Sequence, residues 1–242
     1  VLPDSPPPAP KRTEWSAADF ALVILGGIAG ALVTGLAFLS ADPGTALIAG
    51  LVGQYGGHLV ALRLVLRRRR AAFADLGLVV EPADGVSIFF GIALQVIIAV
   101  LFFPLAVLLE PEGTNQAISE LIPNVSGTGE RAVLVVSIAF LAPIVEEIMF
   151  RGLLWRVLEQ RRGPRAALFG TALVFALFHL LGIGTEDPLR SAALLVPQLF
   201  VVGLVLGRQV QRRGRLGVAI FTHAGFNLVA VLALLAAPDL VS

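Results

Sequence analysis

"FLAPIVEEIMFRGLLWR", residues 140–156, sets two adjacent carboxylates, Glu146 and Glu147, and a cation, Arg151, inside an otherwise apolar run. A charge at the centre of a bilayer costs about 2.5–3.5 kcal/mol on insertion scales, so each one kept there is a candidate for function. Glu147 and Arg151 are four residues apart with the acid first, the favourable order for a helical ion pair. Glu146 is turned by about 100° from Glu147 on a helix, so it cannot share that geometry. It is left as the unpaired acid, which is what a general base requires. Pro143, one turn earlier, removes a backbone donor and can bend the helix at this point.

The rest of the chain decides whether this run lies in lipid. Of 242 residues, 57% are hydrophobic and 14% charged, against about half and about a quarter in a soluble domain. The apolar residues gather in seven stretches, near 19–40, 44–66, 86–109, 132–155, 166–183, 191–208 and 216–236. Each is close to the ~20 residues that a helix needs to cross the hydrocarbon core. Helices are required, because an open sheet would leave backbone groups unpaired in lipid. The expected fold is therefore all-α, a polytopic membrane helix bundle of about seven transmembrane helices. The first stretch exceeds the 7–15 apolar residues of a signal peptide and reads as a retained helix. Residues 1–18, rich in proline, read as a flexible cytoplasmic tail; 19–130 hold the N-terminal helices, 131–236 the core that carries the chemistry, and 237–242 a short tail. With no cysteine in the chain, disulfides, thiolate metal sites and cysteine nucleophiles are excluded.

Arginine sets the orientation. Lys11 and Arg12 precede the first helix and Arg67 to Arg70 follow the second. Arg156, Arg161, Arg162 and Arg165 separate the fourth from the fifth, and Arg212, Arg213 and Arg215 the sixth from the seventh. The alternate loops carry Asp42, then Glu110, Glu112, Glu120 and Glu130, then Glu186 and Asp187, with only Arg131 and Arg190 breaking the pattern. The expected protein sits in a bacterial plasma membrane, N-terminus cytoplasmic and C-terminus outside. The arginine runs serve orientation and anionic lipid, so no nucleic-acid partner is expected.

Two further motifs place ionisable groups within helices. "FALFH" puts Phe175 and His179 on one helix face, and "HAGFN" puts His223 and Asn227 on another. Two of the three histidines thus follow an unpaired glutamate, each with a partner one turn away, which points to one shared site. His58, with Gln54 one turn before it, reads instead as an interhelical hydrogen bond. Glu146 lies about nine residues from the arginine-side end of its helix and His223 about seven, or ~10–14 Å. His179 lies about fourteen residues in, or ~21 Å, which is too deep to join them unless its helix tilts or starts late at Arg162-Gly163-Pro164. A cavity open toward the cytoplasm is expected.

In order, "EEIMFR" (Glu146, Glu147, Arg151), "FALFH" (Phe175, His179) and "HAGFN" (His223, Asn227) resemble the motifs of the CPBP family. These are the C-A-A-X prenyl proteases type 2 and bacteriocin-processing or immunity proteins, also called Abi. The resemblance covers about residues 131–232, and "FVVGLVLG" (Phe200, Gly203, Gly207) is similar to the small-residue helix between the two histidine motifs. It implies an intramembrane endopeptidase acting on a membrane-associated protein or peptide. Glu146 would activate water with help from His179, and His223 and Asn227 would hold the oxyanion. Glu147 and Arg151, with Phe175, would support them. The expected mechanism uses no cofactor; a zinc ion on Glu146, His179 and His223 is the alternative. A non-catalytic, immunity-like membrane protein is the second alternative. A proton-relay transporter is the third, against which stands the lack of an inverted repeat. Other intramembrane chemistries lack their residues: there is no H-E-x-x-H, no mid-helix aspartate and no G-x-S-x-G, and Ser126 falls in an external loop. Substrate and oligomeric state are left open.

Overall fold

The structure is a computed structural model that describes residues 13–109, 125, 127–182 and 188–236. The tail bearing Lys11 and Arg12, the loop acids Glu110, Glu112, Glu120, Glu186 and Asp187, Ser126, and residues 237–242 lie outside the described residues. Helix α1 spans Ala17–Ala37, opened by a Ser16–Asp19 capping box. Helix α2 spans Pro43–Arg69, capped by Asp42 with Pro43 in its first turn. Helix α3 is Ser87–Leu109 and α4 is Thr128–Val136. A π-helical turn, Ser137–Leu141, leads into α5, Ala142–Glu147, and a second, Ile148–Leu154, leads into α6, Trp155–Phe178. After a short 3-10 turn, His179–Gly182, come α7, Pro188–Arg213, and α8, Gly217–Ala236. Among the described residues there is no strand.

Among the described residues five helical segments are long and apolar enough to cross a membrane: Ala17–Ala37, Pro43–Arg69, Pro82–Leu109, Thr128–Leu181 and Pro188–Arg213. Seven apolar stretches were expected, and the difference has a physical reason. Thr128–Leu181 is 54 residues long and contains two of them. Its continuity breaks at Gly163, where φ is 82° and ψ is 175°, a left-handed conformation that glycine tolerates and that no helix contains. Beyond it the chain folds back, because a Cβ on Gly170 would stand 2.7 Å from the side chain of Leu158. Twelve residues of straight helix would separate these two by about 18 Å. The seventh stretch forms α8, whose apolar part, Gly217–Ala233, is shorter.

Contacts at the helix ends define two faces. Arg69 pairs with Asp19 at 2.7 Å, and Arg215 pairs with Asp84 and, at 2.8 Å, with Glu81. The Leu216 amide bonds the Gly77 carbonyl at 2.8 Å, and Gln160 accepts from the Trp15 amide at 3.0 Å while donating to the Thr13 carbonyl at 2.8 Å. The arginine-bearing loops thus share one face. On the opposite face Thr45 donates to Glu130 at 3.3 Å.

Packing between these faces is uneven. Leu62, Leu66, Leu76, Leu153, Leu206 and Leu216 are all buried and fill the arginine-side half. Phe20, Phe150, Phe175 and Phe178 form a T-shaped aromatic cluster above them, with centroids 5.4–5.8 Å apart. Helices α1 and α2 meet through glycines, so close that a Cβ on Gly30 would collide with the Gly53 carbonyl. Outward faces are apolar: Leu36 on α1 and Phe89, Val100 and Leu108 on α3 are each at least 70% exposed, as lipid-facing side chains are.

Candidate active site

The two glutamates occupy different environments. Glu147 is fully buried, and its Oε1 accepts from Arg151 at 2.8 Å and from His223 Nδ1 at 3.0 Å. Arg151, also buried, donates again to the Gly203 carbonyl at 3.3 Å, and its guanidinium lies 4.4 Å above the Phe175 ring. Glu147 therefore anchors both a cation and a histidine. Glu146 Oε2 has no hydrogen-bond partner and lies 3.7 Å from His223 Nε2, beyond hydrogen-bonding distance.

The histidines are oriented by acceptors. His223 Nδ1 faces a carboxylate, so it carries the proton and Nε2 faces Glu146. His179 Nδ1 lies 2.8 Å from the Phe175 carbonyl, which can only accept, so its Nε2 is left for other work. Phe175 stands between them, edge-on to His179 at 4.6 Å and to His223 at 5.6 Å. One aromatic ring thereby spaces both imidazoles and caps Arg151.

Asn227 is held by a consequence of Pro143. In the Ser137–Leu141 π-turn the Ala142 amide bonds the Ser137 carbonyl, five residues back. The next carbonyl, Ile138, would need the amide of residue 143, and proline has none. Asn227 Nδ2 fills the gap, donating to the Ile138 carbonyl at 3.0 Å. Its second N–H and its oxygen are not used in that bond.

These groups line one cavity of about 570 Å³, together with Gln54, Tyr55 and His58 of α2. All three histidines of the chain thus meet at one site. Glu147 and Arg151 stay behind its wall. Sequence reasoning set His58 and Gln54 aside as an interhelical bond and passed over Tyr55. Instead, His58 packs against Gly27 with Nδ1 unpartnered, and Tyr55 lies within electrostatic reach of Glu146. The available signal was that α2 carries the only tyrosine and the remaining histidine within one turn of each other.

Two expectations about position are corrected. The helix bearing Glu146 runs on to residue 162, so depth is counted from Gly163. From there Glu146 and His179 are nearly equidistant along antiparallel limbs, and His179 is not too deep. The cavity also lies on the far side of Glu146 from the arginines. Its walls run from Ile24, His58 and His223 out to Leu32, Leu47 and Val231, toward the opposite face. The arginine side is filled by the leucine and phenylalanine packing described above. Among the described residues no three His, Asp or Glu side chains gather as a metal-holding group, the set Glu146, His179 and His223 included.

Residues 128–229 match the family model described as type II CAAX prenyl endopeptidase Rce1-like. The matched stretch contains every motif residue from Glu146 to Asn227, and it agrees with the CPBP resemblance. It does not include α1 and α2, which supply much of the remaining cavity wall. None of the curated proteins and none of the solved structures compared with the chain matches it.

Proposed function

We propose that this chain is an integral membrane endopeptidase that hydrolyses a membrane-associated protein or peptide at Glu146, without a metal. The family match supports an intramembrane endopeptidase. The observation that carries the assignment of roles is that Glu146 lines the cavity with its Oε2 unpartnered, whereas Glu147 lies behind the wall with its Oε1 committed to Arg151 and His223. In this reading a water lies between Glu146 and His179. His179 Nε2 accepts a hydrogen bond from one O–H, which stays on the oxygen, and Glu146 takes the other proton as the oxygen attacks the scissile carbonyl. The oxyanion is held by Asn227's free N–H and by His223 as an imidazolium stabilised from behind by Glu147. Glu146 then returns its proton to the departing nitrogen, and the C–N bond breaks to give an acid and an amine.

In the same reading the chain crosses the membrane seven times, with Gly163 turning the long Thr128–Leu181 segment back and the arginine face in the cytoplasm. The test is a map of new peptide ends in membranes holding the wild-type or the Glu146→Gln protein. Ends that depend on Glu146 are expected, from protein without stoichiometric zinc. Identical maps contradict hydrolysis, and one zinc per chain, lost in His179→Ala and His223→Ala, contradicts the metal-free route.

A further inference from the structure

Among the described residues the cavity meets Glu146 from one side. Toward the arginine face the site rests on the Phe20–Phe150–Phe178 cluster, then on Leu62, Leu76, Leu153 and Leu216, each at most 1% exposed. Below these, the Leu216–Gly77 backbone bond and the Arg215 ion pairs to Asp84 and Glu81 close the loops against one another. Toward the opposite face the cavity continues between α1, α2 and α8 past Leu32, Leu47, Ala230 and Val231, flanked by the buried Val125 and Leu134 that pack against Leu47 and Leu51. Among the described residues its wall includes no lysine or arginine, and its only carboxylate is Glu146. A charged side chain drawn into it would lose its hydration with no ionic partner, which is costly. The main chain of a peptide, by contrast, finds Gln54, Tyr55 and Asn227 as hydrogen-bonding groups.

We infer that the substrate reaches Glu146 from the membrane half opposite the arginine-bearing face, as an uncharged, apolar length of peptide. With the arginines cytoplasmic, that half is the outer leaflet, so the substrates are segments presented there. The identity of the occupant rests on the endopeptidase reading, whereas the direction of access does not.

The absence of cysteine from the chain makes the direction measurable. Single cysteines at Leu47 and Ala230 probe the cavity; Ala31→Cys, on a third helix, replaces either that does not elute as folded protein. Ser40→Cys and Arg213→Cys mark the two faces, and Leu76→Cys marks the packed side. A membrane-impermeant methanethiosulfonate is applied to right-side-out and inverted vesicles. The cavity cysteines are expected to react at least tenfold faster from the side that labels residue 40 than from the side that labels residue 213, with residue 76 silent from both. Faster reaction from the residue 213 side, equal rates from both, or protection of every cavity cysteine overturns the inference. Scissile bonds in the Glu146-dependent peptides identify the occupant: uncharged flanks support it and charged flanks overturn it. A map with no such peptides counts against hydrolysis and leaves the direction of access standing on the labelling.

Discussion

Asn227→Ala removes two things at once, the donor proposed for the oxyanion and the partner of the Ile138 carbonyl. Turnover is expected to fall about 10²–10³-fold, the usual worth of one oxyanion donor. Stability falls by about 1–3 kcal/mol for the carbonyl left unsatisfied. Thermal unfolding beside turnover checks both, and lost turnover with unchanged stability would show that the Ile138 bond is dispensable. At this scale much was legible in advance. The i,i+4 spacing of Glu147 and Arg151 gave their pair, and Pro143 announced a disturbed backbone. That Asn227 would answer Pro143 was not legible, because it requires a five-residue hydrogen-bond pattern and a neighbour 89 positions away.

Hydropathy locates helices but does not say which of them wall a site. The α1–α2 pair carries no family motif, yet it brings Gln54, Tyr55 and His58 to the cavity. Its glycine seam makes this possible by letting the two backbones meet. Gly30→Leu is expected to pry the pair apart, lowering both stability and turnover. Tyr55→Phe keeps the ring and removes only the hydroxyl, so turnover should drop about tenfold, the worth of one hydrogen bond, at unchanged melting temperature. Unchanged turnover would reduce Tyr55 to packing. The other element misjudged from sequence is the arginine-rich segment 156–165. Its charge marked it as a loop, but it stays helical to residue 162 because the turn is made by Gly163 alone. That single φ angle sets Glu146 and His179 at one height.

For the molecule as a whole, the loops place the arginines on one face, which the proposed orientation sets in the cytoplasm. Cysteines at residues 69 and 213 should resist an impermeant reagent in intact cells, and their labelling from outside would reverse the orientation. Which side of Glu146 the cavity occupies was not legible, because sequence shows where apolar residues lie along the chain and not which half of the bundle they fill. Whole-molecule behaviour also separates the two acids with which the chain poses its problem. Breaking a buried ion pair costs about 3–5 kcal/mol, since it strands the remaining charge. Glu147→Ala abandons both Arg151 and His223, whereas Glu146→Gln gives up no hydrogen bond at Oε2. The decisive measurement is thermal unfolding and peptide cleavage on both variants side by side. The account predicts a Glu146→Gln protein that melts like the wild type and cleaves nothing, and a Glu147→Ala protein that loses stability and cleavage together. Equal loss of stability in the two, or cleavage by Glu146→Gln, would contradict it.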